Sequence, residues 1–93
     1  MKYGIKLSAR FKKGLKRYEK RGLDVGKLIY TVNMLADGKA LPPEYKDHQL
    51  IGNYAGTREC HIYPDWLLIY EYIDSELVLH LLDTGTHSEL FNK

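Results

Sequence analysis

Only one cysteine, three prolines and one tryptophan occur in the 93 residues, and several motifs are missing altogether. A lone Cys60 can close no internal disulfide, which favours a reducing, cytoplasmic setting. No apolar run approaches the ~20 residues of a membrane-spanning helix, so no membrane role is expected. The opening "MKYGIKLSARFKK" has charge but no apolar h-region, so it does not read as a signal peptide. Glycine-rich loops of the GxGxxG or Walker kind are missing, which argues against a nucleotide cofactor. No HxxxH or CxxC offers compact metal spacing. Ser8, Ser75 and Ser88 lack the glycine elbow that presents a serine nucleophile. With no repeat, low-complexity tract or linker, one domain over residues 1–93 is expected.

What the chain does have is an ordinary globular balance, 44% hydrophobic and 28% charged, which excludes disorder. Its net charge of +2 hides a split. Residues 1–30 carry ten Lys or Arg against Glu19 and Asp24, hence +8, while the remainder carries −6. Such polarity fits a polyanionic or acidic protein partner; a solvated helix face is the plainer reading of the same residues.

Apolar alternation at Tyr3, Ile5 and Leu7 predicts a first strand. Ser8 is an N-cap, and Phe11, Leu15 and Tyr18 recur at helical spacing until Gly22. Asp24 caps a second helix whose apolar face is Leu28, Val32 and Leu35, with Ile29 and Ala36 beside them, and Gly38 stops it. So short a link predicts an antiparallel helix hairpin. "KALPPEYKDHQLIGNYAG" reads as loop holding one short strand, and "TRECHIY", "WLLIYEY" and "ELVLHLL" as three strands of an antiparallel meander. The fold class is therefore α+β, with the helix hairpin on one face of a mainly antiparallel sheet. Period two places His61 with Glu59 and Tyr63, opposite Cys60 and Ile62.

Four histidines are present: His48, His61, His80 and His87. Imidazoles titrate near neutrality and can take one proton while giving another. RNA brings its own nucleophile, the 2′-hydroxyl. Cleaving it needs a base there, an acid at the departing 5′-oxygen and positive charge for the phosphorane. Histidines with Lys46 and Arg58 supply these without a metal or other cofactor. Cys60, on the Ile62 face, reads as a small buried hydrophobe rather than a nucleophile.

Three blocks, "YKDHQLIG" (45–52), "RECHIYPDWLLIY" (58–70) and "TGTHSELF" (84–91), resemble in order and separation the signature of YafQ-type toxins. These belong to the RelE/ParE superfamily of bacterial type II toxin–antitoxin systems. The strand and helix hairpin also match that layout, so the resemblance covers nearly the whole chain. It implies a ribosome-dependent endoribonuclease that cuts mRNA, a cognate antitoxin that silences it, and operator DNA bound only through the antitoxin complex. It further implies that His48, His61, Asp65 and His87 converge as catalytic groups; Asp65 would orient or charge-tune a histidine or act as a base itself, and His87 is the preferred general acid. Lys46, Arg58, Trp66 and Phe91 would then contact substrate. Trp66 is equally a core anchor by its position at a strand start, and Phe91 equally a pin for the C-terminal tail. His80 lies outside the blocks and reads as structural. The basic residues Lys12, Lys13, Lys16 and Lys20 would dock on ribosomal RNA. One departure stands out: relatives commonly carry arginine where this chain has Asp83, a carboxylate that would repel phosphate. Two other functions fit the same fold, a gyrase-poisoning toxin that cuts no RNA and a non-enzymatic module that binds through its basic helices.

Overall fold

The computed structural model describes residues 1–91. Strand β1 (Gly4–Leu7) leads into α1 (Ala9–Lys20), α2 (Val25–Ala36), and a loop containing β2 (His48–Gln49). Then follow β3 (Arg58–Tyr63), β4 (Trp66–Ile73), β5 (Val78–Gly85) and a short α3 (His87–Phe91). The sheet order is β1-β5-β4-β3-β2. β1 runs parallel to β5 and the other pairs are antiparallel, so the expected α+β class holds.

The helix boundaries follow from caps. Ser8 Oγ accepts the Phe11 N–H at 3.0 Å and Asp24 Oδ1 accepts the Gly26 N–H at 2.8 Å, each satisfying one orphan donor of a first turn. Gly22 and Gly38 follow the helices at φ 70° and 75°, left-handed angles that glycine adopts without strain.

The main core lies between the helices and the sheet, where Phe11, Tyr18, Leu28, Val32 and Leu35 meet Cys60, Ile62, Leu68, Leu79 and Leu81. Ile29, expected beside that face, is 53% exposed. The second sheet face carries a smaller cluster: Leu67, Ile69 and Leu90, with Leu50, Tyr54, Leu82 and Phe91 packed on it. The C-terminal helix and the loop at residues 50–54 thus cover part of the face opposite the hairpin.

Two irregularities shift the predicted alternation. The β3–β4 register slips between His61 and Tyr63. Tyr63, expected to share a face with His61, is turned by the slip to the helix-side core instead. There its ring lies 6.4 Å from Tyr18 and its hydroxyl accepts the Asp24 N–H. A second shift lies between β4 and β5, where Ile69 pairs with Asp83 and Tyr70 with Leu81. Bulges of this kind re-aim side chains.

Candidate active site

Alternation along β3 turns Glu59 and His61 to the sheet face away from the helix hairpin, opposite buried Cys60 and Ile62. β2 pairs with β3 so that His48 sits directly across from Glu59. Glu59 is 5% exposed. Its Oε1 is 3.8 Å from His48 Nε2 and 3.6 Å from His61 Nε2. The other nitrogens of both rings face carbonyls: His48 Nδ1 lies 2.7 Å from Lys46 O, and His61 Nδ1 lies 3.2 Å from Pro64 O. A carbonyl only accepts, so both rings carry their proton at Nδ1 and turn Nε2 inward.

The tight turn at Pro64 and Asp65 brings the Asp65 carboxylate to the start of α3. Its Oδ1 is 2.8 Å from His87 Nδ1 and accepts the His87 backbone N–H at 3.2 Å. These bonds from His87 hold the Asp65 carboxyl below the usual carboxylate range, with Arg21 adding a smaller push in the same direction. The His61 and His87 rings are 5.7 Å apart, centroid to centroid. Segments 48, 59–65 and 87 therefore meet at one exposed patch, and all four histidine-block residues singled out from the sequence are there. Glu59 joins them, a residue that the sequence blocks do not single out for chemistry. The signal for it was the period-two pattern that put it on the His61 face.

The substrate-contact residues divide. Lys46, in a left-handed turn at φ 49°, lines a cavity of about 330 Å³ together with His61, Tyr63, Pro64, Tyr45 and Lys27. Arg58 lies on the opposite face of β3, 3.3 Å from Asp47 Oδ1, which also accepts the Tyr70 hydroxyl at 2.6 Å. That engagement ties the guanidinium to the framework rather than to the histidine group. Trp66 is 2% exposed. Its Nε1–H donates to Thr84 Oγ1 at 2.8 Å and its ring meets Tyr18 edge-on at 5.5 Å. Of its two readings, the core anchor holds, because a base cannot stack on a ring buried on both faces. Phe91 is half-buried, its ring edge-on to Tyr54 at 5.3 Å, which pins the end of α3. His80 pairs with Glu71 at 3.0 Å. Asp83 lies 3.4 Å from Arg10 Nε and caps the Thr84 N–H, so its charge is answered by α1. Burial raises the Cys60 thiol far above neutrality, with Asp47 and Glu59 adding to it. It stays protonated and is no nucleophile.

The chain matches the family model of the bacterial toxin of type II toxin–antitoxin systems, YafQ, over residues 3–92. It belongs to the YafQ toxin family. It is 41% identical over 88 residues to the mRNA interferase toxin YafQ of Escherichia coli K12, covering 94% of each chain. A metal-bound toxin from Helicobacter pylori superposes with a TM-score of 0.91 at 44% identity, covering 96% of this chain and 99% of that one. The toxin of the E. coli DinJ–YafQ toxin–antitoxin complex gives 0.86 at 39% identity, over 98% and 99%. The three sequence blocks thus marked the right family, and the YafQ fold is of the RelE/ParE kind.

Metal ligation has a geometric basis that sequence spacing concealed. Glu59, His61 and His87 each offer a ligand atom, and these lie within 4.8 Å of one another. Two imidazoles and a carboxylate suit a zinc- or copper-class ion with one position open. The expectation of no metal rested on the lack of a compact motif, but residues 61 and 87 meet only through the fold. In this YafQ-family chain the same three side chains are thus available either to a cation or to proton transfer.

Proposed function

We propose that the chain is the toxin of a type II toxin–antitoxin pair and an endoribonuclease that cuts mRNA on the ribosome. The observation that carries this reading is the Asp65–His87 pair facing His61 across 5.7 Å. Two imidazoles at that separation can flank one phosphodiester, one as base and one as acid. With Nδ1 held by the Pro64 carbonyl, the His61 ring leaves Nε2 to take the proton from a 2′-hydroxyl. His48, bound to its carbonyl in the same way, supports or replaces it. The 2′-oxygen then attacks phosphorus, and the 5′-oxygen leaves with a proton from His87 Nε2. Asp65, ionised at neutral pH, stabilises the imidazolium and keeps its proton-donating edge outward. Glu59 between the two Nε2 atoms provides a charge-assisted contact whenever either ring is protonated.

Positive charge for the phosphorane comes from Lys46 on the cavity rim, since Arg58 is engaged with Asp47. The cavity beside His61 has room for part of a flanking nucleotide. An antitoxin binds and silences the protein, and operator DNA is reached only through that complex. Lys12, Lys13, Lys16 and Lys20 contact ribosomal RNA. A gyrase poison or a pure binding module would need neither the oriented His87 nor a second imidazole opposite it.

The reaction leaves a 2′,3′-cyclic or 3′-phosphate end and needs no metal. A cation seated on Glu59, His61 and His87 would occupy the imidazoles and inhibit. Single-turnover cleavage of mRNA on programmed ribosomes is the test. Alanine at His48, His61, Asp65 or His87 should each lower the rate by about 10²-fold or more. Rates equal to wild type for both the His61 and His87 variants would remove the site assignment. Activity lost under chelation that leaves ribosomes intact, and restored by zinc alone, would overturn the metal-free mechanism.

A further inference from the structure

The C-terminal helix that carries His87 has five residues among those described, far fewer than a helix needs to persist by itself in water. Something must hold it in place, and the contacts converge on Glu89. Its Oε1 accepts the Thr86 N–H at 2.9 Å, while the Glu89 N–H donates to Thr86 Oγ1 at 3.2 Å. That reciprocal pair is a capping box, which fixes the first turn. Its second oxygen reaches across to α1. Glu89 Oε2 accepts from Arg21 Nη2 at 2.9 Å and lies 3.2 Å from Arg17 Nε. The Arg17 Nε atom is buried and makes no directed hydrogen bond, so it acts on the carboxylate through charge.

The strand end beneath is fitted to this arrangement. A Cβ on Gly85 would come within 3.2–3.3 Å of Glu89 Oε1, Glu89 Cβ and Leu90 Cδ2, so the side chains of α3 pack directly on the strand backbone at Gly85. Arg21 also lies over the Trp66 ring at 5.0 Å, which ties the latch to the main core. Burial opposes ionisation of Glu89, but the bonds from Thr86 and the charges of Arg21 and Arg17 prevail and hold its carboxyl below the ordinary range.

We propose that Glu89 is a positioning residue: it latches α3 to α1 and thereby sets the His87 ring against Asp65. The proposal rests on the reading of His87 as the general acid. Glu89 touches no substrate. It acts on the angle at which the His87 backbone and ring meet one carboxylate oxygen. Leu90, buried against Leu67 and Ile69, fixes the depth of the helix but not its rotation, whereas the two arginines and the capping box constrain rotation.

The test uses the full chain with Glu89→Ala and Glu89→Gln. Glutamine keeps an acceptor for the Thr86 N–H and loses the charge that Arg17 and Arg21 grip. The first measurement needs no RNA. The ¹⁵N spectrum of the His87 ring reports whether neutral imidazole holds its proton at Nδ1, as the Asp65 bond dictates. The second measures kcat and KM for cleavage separately, with thermal unfolding as a control. Glu89→Ala should blur the Nδ1-protonated signature and lower kcat by about 10- to 10²-fold, the scale of a ~1 Å misplacement, with KM close to wild type. Glu89→Gln should recover part of both. A wild-type ¹⁵N signature in folded Glu89→Ala overturns the latch whatever the rate, and so does a loss confined to KM. If His87→Ala cleaves like wild type while Glu89→Ala alters the spectrum, the acid role of His87 fails and the latch remains. Should Glu89→Ala not fold, Glu89→Gln and Arg21→Gln carry the same two readouts.

Discussion

At the scale of single residues, charge and partner decide role more than residue type does. Asp65 is exposed, yet its carboxyl is depressed because His87 donates to it twice. A depressed carboxyl is ionised, and its pairing intact, above its unfolded value; the contribution is lost only as pH falls through the lower folded value. Asp65 should therefore add no inflection to the rate profile near neutral pH. Asp65→Asn removes the charge and can present an amide N–H to the ring, disfavouring the productive tautomer. The expected result is a rate reduced by about 10- to 10²-fold at neutral pH. Profiles of the two proteins that coincide in height and shape would show Asp65 to be a bystander. Much at this scale could be read from the sequence, since His48, His61, Asp65 and His87 stand in recognisable blocks. Trp66 could not be assigned, because one residue at a strand start serves equally as core or as platform until its two faces are known. Arg58 was misleading for a related reason. Asp47, eleven residues away, neutralises it, and no local pattern announces that pairing.

Elements were legible where end signals are local and chemical. Ser8, Gly22, Asp24 and Gly38 mark the helices because each satisfies a backbone demand at its own position. The strand irregularities were not legible. A slip of one residue leaves composition unchanged but turns Tyr63 to the other face. Close packing of elements was hidden too, as Gly14 illustrates. On α1 it lies against β5 so tightly that an added Cβ would stand 2.2 Å from Thr84 O and 2.8 Å from Thr84 Cγ2. Thr84 cannot yield easily, because its Oγ1 takes the Trp66 N–H and donates to Leu67 O. Helix propensity alone would have Gly14→Ala stabilise by about 0.5–1 kcal/mol. Overpacking against backbone costs about 1–3 kcal/mol, and it outweighs propensity here. Gly14→Ala should thus lower Tm by several degrees, since about 1 kcal/mol moves a domain of this size by ~4–8 °C. It should also slow cleavage, because α1 and its C-cap carry the arginines that hold α3. A raised Tm in calorimetry would mean that α1 has space the geometry denies.

Across the whole molecule, charge is sorted by face. The salt bridges that α1 and its C-cap make among the described residues come from Arg10, Arg17 and Arg21, which reach Asp83 and Glu89 of the C-terminal segment. Lys12, Lys13, Lys16 and Lys20 are all exposed, and none of them enters such a pair. Lys12, Lys16 and Lys20 recur every four residues, so they stand along one stripe of the helix. The arginines thus serve the fold and the latch, while the lysines lie on the hairpin side, away from the sheet face that holds Glu59 and His61. A protein docked through that stripe would hold its histidines toward a message lying elsewhere on the ribosome. Lysines that neutralise phosphates release counterions, so affinity falls steeply with salt, by nearly one log unit per phosphate contact for each tenfold rise. Changing all four lysines to Glu should weaken ribosome binding and reduce the log–log salt slope by about three units. The fold should survive, because these positions lie off the buried Phe11 and Tyr18 face. Co-sedimentation with ribosomes across a salt series, with circular dichroism to verify folding, measures both quantities. A folded reversal variant with wild-type affinity and slope would make the lysine stripe a solvated surface, and docking would then have to be sought in Lys27 and Lys46, beside the site itself.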